Sequence, residues 1–181
     1  MKITDHLVQL LMDDEYDKTV IQRESFPVNI RLYKNNPSYR NVILEIVRYM
    51  DEHMHSHFED YSDPRGVAAA NLGFPFKIIG YKKNNGDNQF CINPRITWHT
   101  GDTATTTSNC GSLRLTNPIS VERYTKIDLE YYDLEGNIVT QKGIERMYGA
   151  FTIQHEIDQT MGITLIDKKE KAKEDPTVSN K

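Results

Sequence analysis

The sequence predicts an α+β protein with helices towards both ends of the chain and mostly antiparallel sheets between them. Three observations predict this class. A helical hydrophobic period runs from residue 37 to about 58, alternation typical of strands follows between about 76 and 139, and a second helical period covers 145–161. Strands and helices do not alternate one by one along the chain, so a parallel βαβ arrangement is not favoured.

Length and composition limit the kind of protein this can be. The 181 residues include 38% hydrophobic residues, with 10 Tyr and 6 Phe, which favours one domain with its own core and excludes wholesale disorder. The formal net charge of −4 disfavours a direct nucleic-acid partner, which would need a concentrated basic face.

The same composition predicts a compartment. No apolar run approaches the roughly 20 residues of a membrane span, and the first residues lack the apolar stretch of a signal peptide. Two cysteines, Cys91 and Cys110, are too few for a disulfide scaffold. We therefore expect a reduced cytoplasmic protein with no membrane partner.

The first third of the chain is expected to be helical in two places. Residues 4–12 place three leucines on one face, whereas residues 13–35 are expected to be mostly loop. Asn36 is suited to cap the next helix and Pro37 to begin it. Apolar residues then recur at helical spacing up to about residue 58, namely Val42, Leu44, Ile46, Val47, Met50 and Met54.

Strands are predicted in the middle of the chain. Runs at 76–81 and 89–92 are joined by turn residues at 84–87. Residues 126–132 alternate in polarity, and the turn residues at 133–137 predict a hairpin.

The last predicted helix covers 145–161, and Gly162 stands where a helix would stop. Its apolar face would contain Met147, Ala150, Phe151, Ile153 and Ile157. The charged segment beyond it contains Pro176, so we expect one domain over 1–167 and a charged C-terminal tail over 168–181.

This last helix carries the hexad Gln154-His155-Glu156-Ile157-Asp158-Gln159. Residues four apart share a helix face, so His155 and Gln159 can point at one metal ion. Glu156 could deprotonate a water there, as in the His-Glu-x-x-His hydrolases, although Gln159 stands where the second His would be. A lone His-Glu pair by itself more often belongs to a solvated helix face.

Two other segments favour a functional site over a solvated helix face. A small-residue run, Pro64-Arg65-Gly66-Val67-Ala68-Ala69-Ala70-Asn71, allows a close approach of the backbone, and Ser108-Asn109-Cys110-Gly111-Ser112 offers a thiol in a region rich in Thr and Ser that we expect to be a loop. With the hexad, they resemble in order and spacing the peptide deformylase motifs Gly-x-Gly-Leu-Ala-Ala-x-Gln, Glu-Gly-Cys-Leu-Ser and Gln-His-Glu-x-Asp-His-x-x-Gly. Flanking matches are Ile92-Asn93-Pro94, which we expect to end a strand, Val121-Glu122-Arg123 and the closing segment 163–167.

The resemblance implies an α+β fold in which mostly antiparallel sheets surround the C-terminal helix that carries the His-Glu pair. It implies a bacterial-type hydrolase of protein biosynthesis that removes the formyl group from the N-terminal formyl-methionine of new proteins. The implied cofactor is a divalent metal (Fe, Zn or Ni), and the implied partners are the N-terminal peptide of nascent proteins and the ribosome. Carried over residue by residue, the metal ligands would be Cys110, His155 and Gln159, and the catalytic groups would be Glu156, Asn71 and Gly111.

Several departures from these motifs weaken the implied site. Gln159 offers a neutral amide where the family has an imidazole, which is a poorer partner for Fe²⁺ or Zn²⁺. Asn71 is one methylene shorter than the family's Gln. The other departures are Ser108-Asn109 in place of Glu-Gly, Gly111 in place of Leu and Pro64 in place of Gly.

We therefore expect a deformylase-like protein whose activity is impaired or lost and whose metal is bound weakly or not at all. Two alternatives stay open: an active deformylase whose metal site is completed by Gln159 or water, and a non-catalytic peptide-binding or interaction module on the same scaffold.

Overall fold

The computed structural model describes residues 22–58, 66–108, 119–146 and 149–168. The predicted helix at 4–12 lies outside the described residues, as do Cys110 and Gly111. Within the described ranges the α-helices are α1 (Ile30–Asn35), α2 (Pro37–Phe58) and α3 (Ala150–Thr160), with a 3-10 helix at Ala69–Leu72 and a helical turn at 165–168.

The first two helices begin at asparagine caps. Asn36 accepts a hydrogen bond from the backbone N–H of Tyr39 at 3.0 Å, which confirms the predicted start of α2. The prediction of loop is wrong for α1, where Asn29 accepts from the N–H of Leu32 at 3.0 Å. A helix of six residues is too short to show a hydrophobic period.

Antiparallel pairing links the strands into two sheets, which confirms the predicted α+β class. The strands are β1 (Gly66–Ala68), β2 (Ile78–Lys82), β3 (Asn88–His99), β4 (Thr103–Ser108), β5 (Ile119–Tyr124), β6 (Lys126–Tyr132) and β7 (Ile138–Glu145). A five-stranded sheet has the order β1-β2-β3-β6-β7, and β4 pairs with β5 in the second sheet.

Three predicted boundaries are wrong. β3 does not end at Asn93-Pro94 but continues to His99 through a register shift. The Thr-rich segment that enters the 108–112 region is a strand up to Ser108, in keeping with the preference of β-branched residues for strands. The last helix starts at Ala150 rather than 145, because β7 runs to Glu145.

Among the described residues, α2 packs on one face of the five-stranded sheet and α3 on the other. Ile78 of β2 packs in a core with Ile46 and Met50 of α2, whereas its neighbour Ile79 packs in a second core with Ile153 of α3. This follows from the alternation of side chains along a strand. The stop at Gly162 is confirmed, since that residue has φ of +71° and follows the end of α3.

The thiol of Cys91 is buried in the α3-facing core and forms no disulfide. No helix among the described residues combines the length and the apolar character that crossing a membrane requires.

Candidate metal and catalytic site

Gln154 fixes the position of α3 against the second sheet. Its side chain accepts a hydrogen bond from the backbone N–H of Tyr124 at 3.0 Å and donates to the carbonyl of the same residue at 2.9 Å. It also donates to the carbonyl of Ala150 at 3.0 Å. A buried amide with these partners sets the rotation of the helix one residue before His155.

The small-residue run beginning at Gly66 allows β1 to lie directly against α3. A Cβ atom on residue 66 would be 2.7 Å from Cγ of Glu156 and 2.7 Å from Cγ2 of Thr152. Two residues later, the backbone N–H of Ala68 hydrogen-bonds the carboxyl group of Glu156. The predicted close approach therefore brings the backbone of β1 to the carboxyl group of the hexad.

Glu156 is a buried acid on the α3 surface that faces β1. Its side chain lies at 3% exposure, and burial raises its pKa to about 8, although the charge of Arg123 and the Ala68 N–H act in the opposite direction. Its Oε2 atom has no hydrogen-bond partner among the described residues. A buried carboxyl oxygen without a partner suits a group whose partner arrives with a ligand.

His155 and Gln159 share one face of α3, as predicted. The side-chain nitrogen of Gln159 lies 3.0 Å from Nε2 of the imidazole. The amide nitrogen can only donate, and so can the Arg123 guanidinium, whose Nη2 lies 3.5 Å from Nδ1, so each ring nitrogen of His155 faces a donor group. Burial, helped by the charge of Arg123, lowers the pKa of His155 to about 4, so the ring is neutral at pH 7.

Arg123 belongs to this site, although sequence reasoning assigned it no role there. It is buried at 3% exposure, forms an ion pair with Asp158 and lies with Nη2 3.5 Å from Nδ1 of His155. Lys168, the first residue of the predicted tail, contacts the same carboxylate at 2.9 Å. The signal in the sequence was the flanking match Val121-Glu122-Arg123.

The other predicted site residues divide into two groups. Asn71 is half-buried in the 3-10 helix Ala69–Leu72, which packs against α3. Cys110 and Gly111 lie outside the described residues. The described residues alone hold no group of three His, Cys, Asp or Glu side chains that could bind a metal ion.

The donor set on α3 nevertheless fits a divalent metal. A neutral imidazole whose Nε2 lies 3.0 Å from the side-chain amide of Gln159 places two groups of a ligand type side by side for Fe²⁺, Ni²⁺ or Zn²⁺. The unpartnered Oε2 of Glu156 on the next residue is a suitable acceptor for water beside such an ion. His155 and Gln159 could therefore supply two ligands, with a third coming from another segment.

Comparison with known proteins identifies the family. The sequence profile of the family described as polypeptide deformylase matches residues 15–175. The chain belongs to the polypeptide deformylase family. Among curated relatives, it is 32% identical over 149 residues to the peptide deformylase of Brachyspira hyodysenteriae, an alignment that covers 77% of this chain and 76% of that protein. It is 33% identical over 135 residues to the peptide deformylase of Afipia carboxidovorans, covering 71% and 75%.

Solved deformylase structures share the fold. The peptide deformylase of Thermotoga maritima superposes with a TM-score of 0.66 at 25% identity, over 82% of this chain and 90% of that one. A Met-Ala-Ser-bound class I type b peptide deformylase from Acinetobacter baumannii gives a TM-score of 0.66 at 19% identity, over 82% and 91%. These likenesses confirm the predicted deformylase-like arrangement of antiparallel sheets and a C-terminal helix.

Proposed function

We propose that this member of the polypeptide deformylase family is a metal-dependent amide hydrolase of reduced activity, which removes the formyl group from N-terminal formyl-methionine. The observation that carries the proposal is the 3.0 Å contact between Nε2 of His155 and the side chain of Gln159. It supports an assignment in which residue 159 lies at a metal-ligand position on α3 and offers an amide instead of an imidazole.

The proposed metal ligands are Cys110, His155 and Gln159. Iron, zinc or nickel in that position would polarise the formyl carbonyl and lower the pKa of a water molecule. Gln159 can turn its oxygen towards the ion, because the two ends of a carboxamide have nearly the same shape. A neutral amide oxygen is a weaker ligand than imidazole for these metals, so occupancy should be low.

Glu156 is the proposed proton carrier. It would accept a proton as water attacks the formyl carbon and return that proton to the nitrogen of the leaving methionine, so that formate and a free amine are released. The hydrogen bond from Ala68 orients its carboxyl group, and Gly66 leaves the space that its side chain occupies. A buried acid with a raised pKa can both take up and release a proton near pH 7.

The proposed oxyanion donors are the backbone N–H of Gly111 and the side chain of Asn71. Loss of one such donor costs about 10²–10³-fold in rate in other hydrolases. Asn71 is one methylene shorter than the family's Gln, so we expect part of this loss here. Weaker metal binding through Gln159 should lower the rate further. Mutation even of residues that only hydrogen-bond to metal ligands typically costs about 10–100-fold in metal affinity or activity.

The proposed substrate is the N-terminal peptide of a nascent protein, made available at the ribosome in the cytoplasm. The Acinetobacter baumannii neighbour was solved with Met-Ala-Ser bound, which supports a short peptide beginning with methionine. Formyl-Met-Ala-Ser is therefore the appropriate test substrate.

The test is formate release from formyl-Met-Ala-Ser by the full chain loaded separately with Fe²⁺, Ni²⁺ and Zn²⁺. We expect slow turnover that Glu156→Gln abolishes and Gln159→His increases. Recovery should be partial in Gln159→His and greater when Asn71→Gln is added, because each change restores a different group. Turnover that survives Glu156→Gln, or no formate from either wild type or the double variant, would contradict the proposal.

A further inference from the structure

Three polar side chains meet where the second half of α2 lies against the start of β3. Asp51 and His55 are four residues apart on α2 and therefore share one face of the helix. Nδ2 of Asn88, the first residue of β3, lies 2.8 Å from Oδ1 of Asp51 and 3.2 Å from Nδ1 of His55. These two atoms are 4.0 Å from each other. The cluster shares no residue with the site on α3.

The amide nitrogen of Asn88 lies between two acceptor atoms. An ionised carboxylate has no proton to donate, so the atom of Asn88 that faces Asp51 is the nitrogen. Because the same nitrogen faces His55, Nδ1 of that ring accepts in this arrangement. A carboxylate oxygen and an imidazole nitrogen thus converge on one point, which a partly positive NH₂ group occupies.

The core holds the backbone on both sides of the cluster. Met54, the residue before His55, is 2% exposed and packs with Phe90 of β3 in the core between α2 and the sheet. Gly80 of β2 allows this packing, since a Cβ there would lie 3.0 Å from Sδ of Met54 and 2.7 Å from Cε1 of Phe90. Ligands on helices and strands are held more precisely than ligands on loops. The side chains of Asp51 and His55 are themselves exposed, so they can turn towards an ion without disturbing the core.

We propose that Asp51, His55 and Asn88 form a site for one divalent transition-metal ion such as Zn²⁺, which replaces the NH₂ group between the two acceptors. Asn88 turns its carboxamide so that the oxygen faces the ion. Imidazole nitrogen and carboxylate oxygen both bind Zn²⁺ at about 2.0–2.2 Å, which places two such ligands about 3.4 Å apart in tetrahedral geometry. The observed separation of 4.0 Å closes to this with a small rotation of one side chain.

The proposed site differs from the one on α3 in how firmly it holds its ion. It uses an imidazole, a carboxylate and a neutral amide, and water fills the remaining position. Because the side chains of Asp51 and His55 are exposed, water also competes for the ion. We expect binding that dialysis reverses, so the site has to be measured at equilibrium.

The test is an NMR titration of the full-length protein with Zn²⁺, with Mg²⁺ as the control ion. We expect saturable amide shifts at 51–55 and 88 with Zn²⁺ and none there with Mg²⁺, which prefers a shell of oxygen ligands and water. Zinc titrations that leave 51–55 and 88 unchanged, or equal shifts with both ions, would overturn the proposal. Shifts on α3 report on the other site and no turnover is needed, so failure here is separable from failure of the proposed hydrolysis.

His55→Gln and Asp51→Asn each remove one proposed ligand, and both exposed side chains can be replaced without disturbing the core. We expect each variant to bind zinc at this site at least about tenfold more weakly, since even changes behind metal ligands cost about 10–100-fold. His99→Gln is the matched control, because this exposed imidazole lies at the other end of β3, with Nδ1 2.8 Å from the carbonyl oxygen of Thr100. It should leave the titration unchanged, whereas wild-type affinity in His55→Gln would contradict the assignment.

Asn88→Asp distinguishes a metal ligand from a purely structural hydrogen bond. A carboxylate at 88 cannot donate to Asp51 or His55, so the metal-free protein loses both contacts. The added negative charge attracts the ion, so we expect this variant to bind zinc about tenfold more tightly than the wild type. Unchanged or weaker zinc binding in Asn88→Asp would show that Asn88 only ties the helix to the strand, and would overturn its place in the site.

Discussion

Gly66 and Glu156 are in such close contact that no side chain fits between them: a Cβ on residue 66 would lie 2.7 Å from Cγ of Glu156. Because that side chain is buried and its carboxyl group is held by Ala68, it has little room to retreat. The close packing of β1 on α3 therefore has a direct consequence for stability.

We predict that Gly66→Ala lowers the free energy of unfolding by about 1–3 kcal/mol, which is typical of overpacking a filled site. Urea denaturation followed by circular dichroism measures this. Gly101→Ala is the control, since no heavy atom lies within 4 Å of a Cβ built there, and it should change stability by no more than about 0.5 kcal/mol. Equal effects of the two substitutions would show that the contact is not tight.

Asn93 supports a second prediction. Its side chain accepts from the N–H of Val28 and donates to the carbonyl of Val28, each at 2.8 Å, while its own backbone has φ of +50°. Asn93→Ala and Asn93→Gly both lose the two hydrogen bonds, but only alanine is strained at positive φ. We expect Asn93→Ala to be less stable than Asn93→Gly by about 1 kcal/mol in urea denaturation. Identical midpoints for the two variants would contradict this account of the backbone.

Tyr131 predicts a loss of stability at high pH. Burial, and to a smaller extent the neighbouring Cys91, raises its pKa in the folded protein from 10.0 to about 12. Between these values the unfolded chain releases the phenolic proton and the folded protein keeps it, so the free energy of unfolding falls as pH rises. The wild type should lose stability more steeply between pH 10 and 11.5 than Tyr131→Phe.

Urea denaturation at several pH values checks that slope. Tyr131→Phe also loses the hydrogen bond from Gln141, but this lowers stability at every pH below the transition and leaves the slope unaffected. Parallel pH profiles for the two proteins would show that Tyr131 is not responsible.

Local signals in the sequence were sufficient for much of the fold. The cap at Asn36 and the long period after it predicted α2, because a 22-residue amphipathic helix shows many repeats of its pattern. Alternation predicted β6 at its observed bounds, Lys126–Tyr132. The early start given to α3 was wrong, because the bulge at Gly143 breaks the alternation of β7.

The candidate site was predictable only where its residues share one helix. His155 and Gln159 lie four apart on α3, so their contact follows from helix geometry. Arg123 lies 35 residues from Asp158 in the sequence, and only the folded sheets bring that ion pair together. Local patterns carry no information about such a pairing.

Metal content tests the central claim that the amide of Gln159 lowers the metal affinity of a site whose ligands include His155. Wild type, Gln159→His and the control Gln89→His, which adds an imidazole on β3 outside the candidate site, should be purified in parallel, exposed to Zn²⁺, dialysed and analysed for bound metal. The account predicts well under one ion per chain for wild type and Gln89→His, and close to one for Gln159→His. A full complement of metal in the wild type, or no increase in Gln159→His, would contradict it.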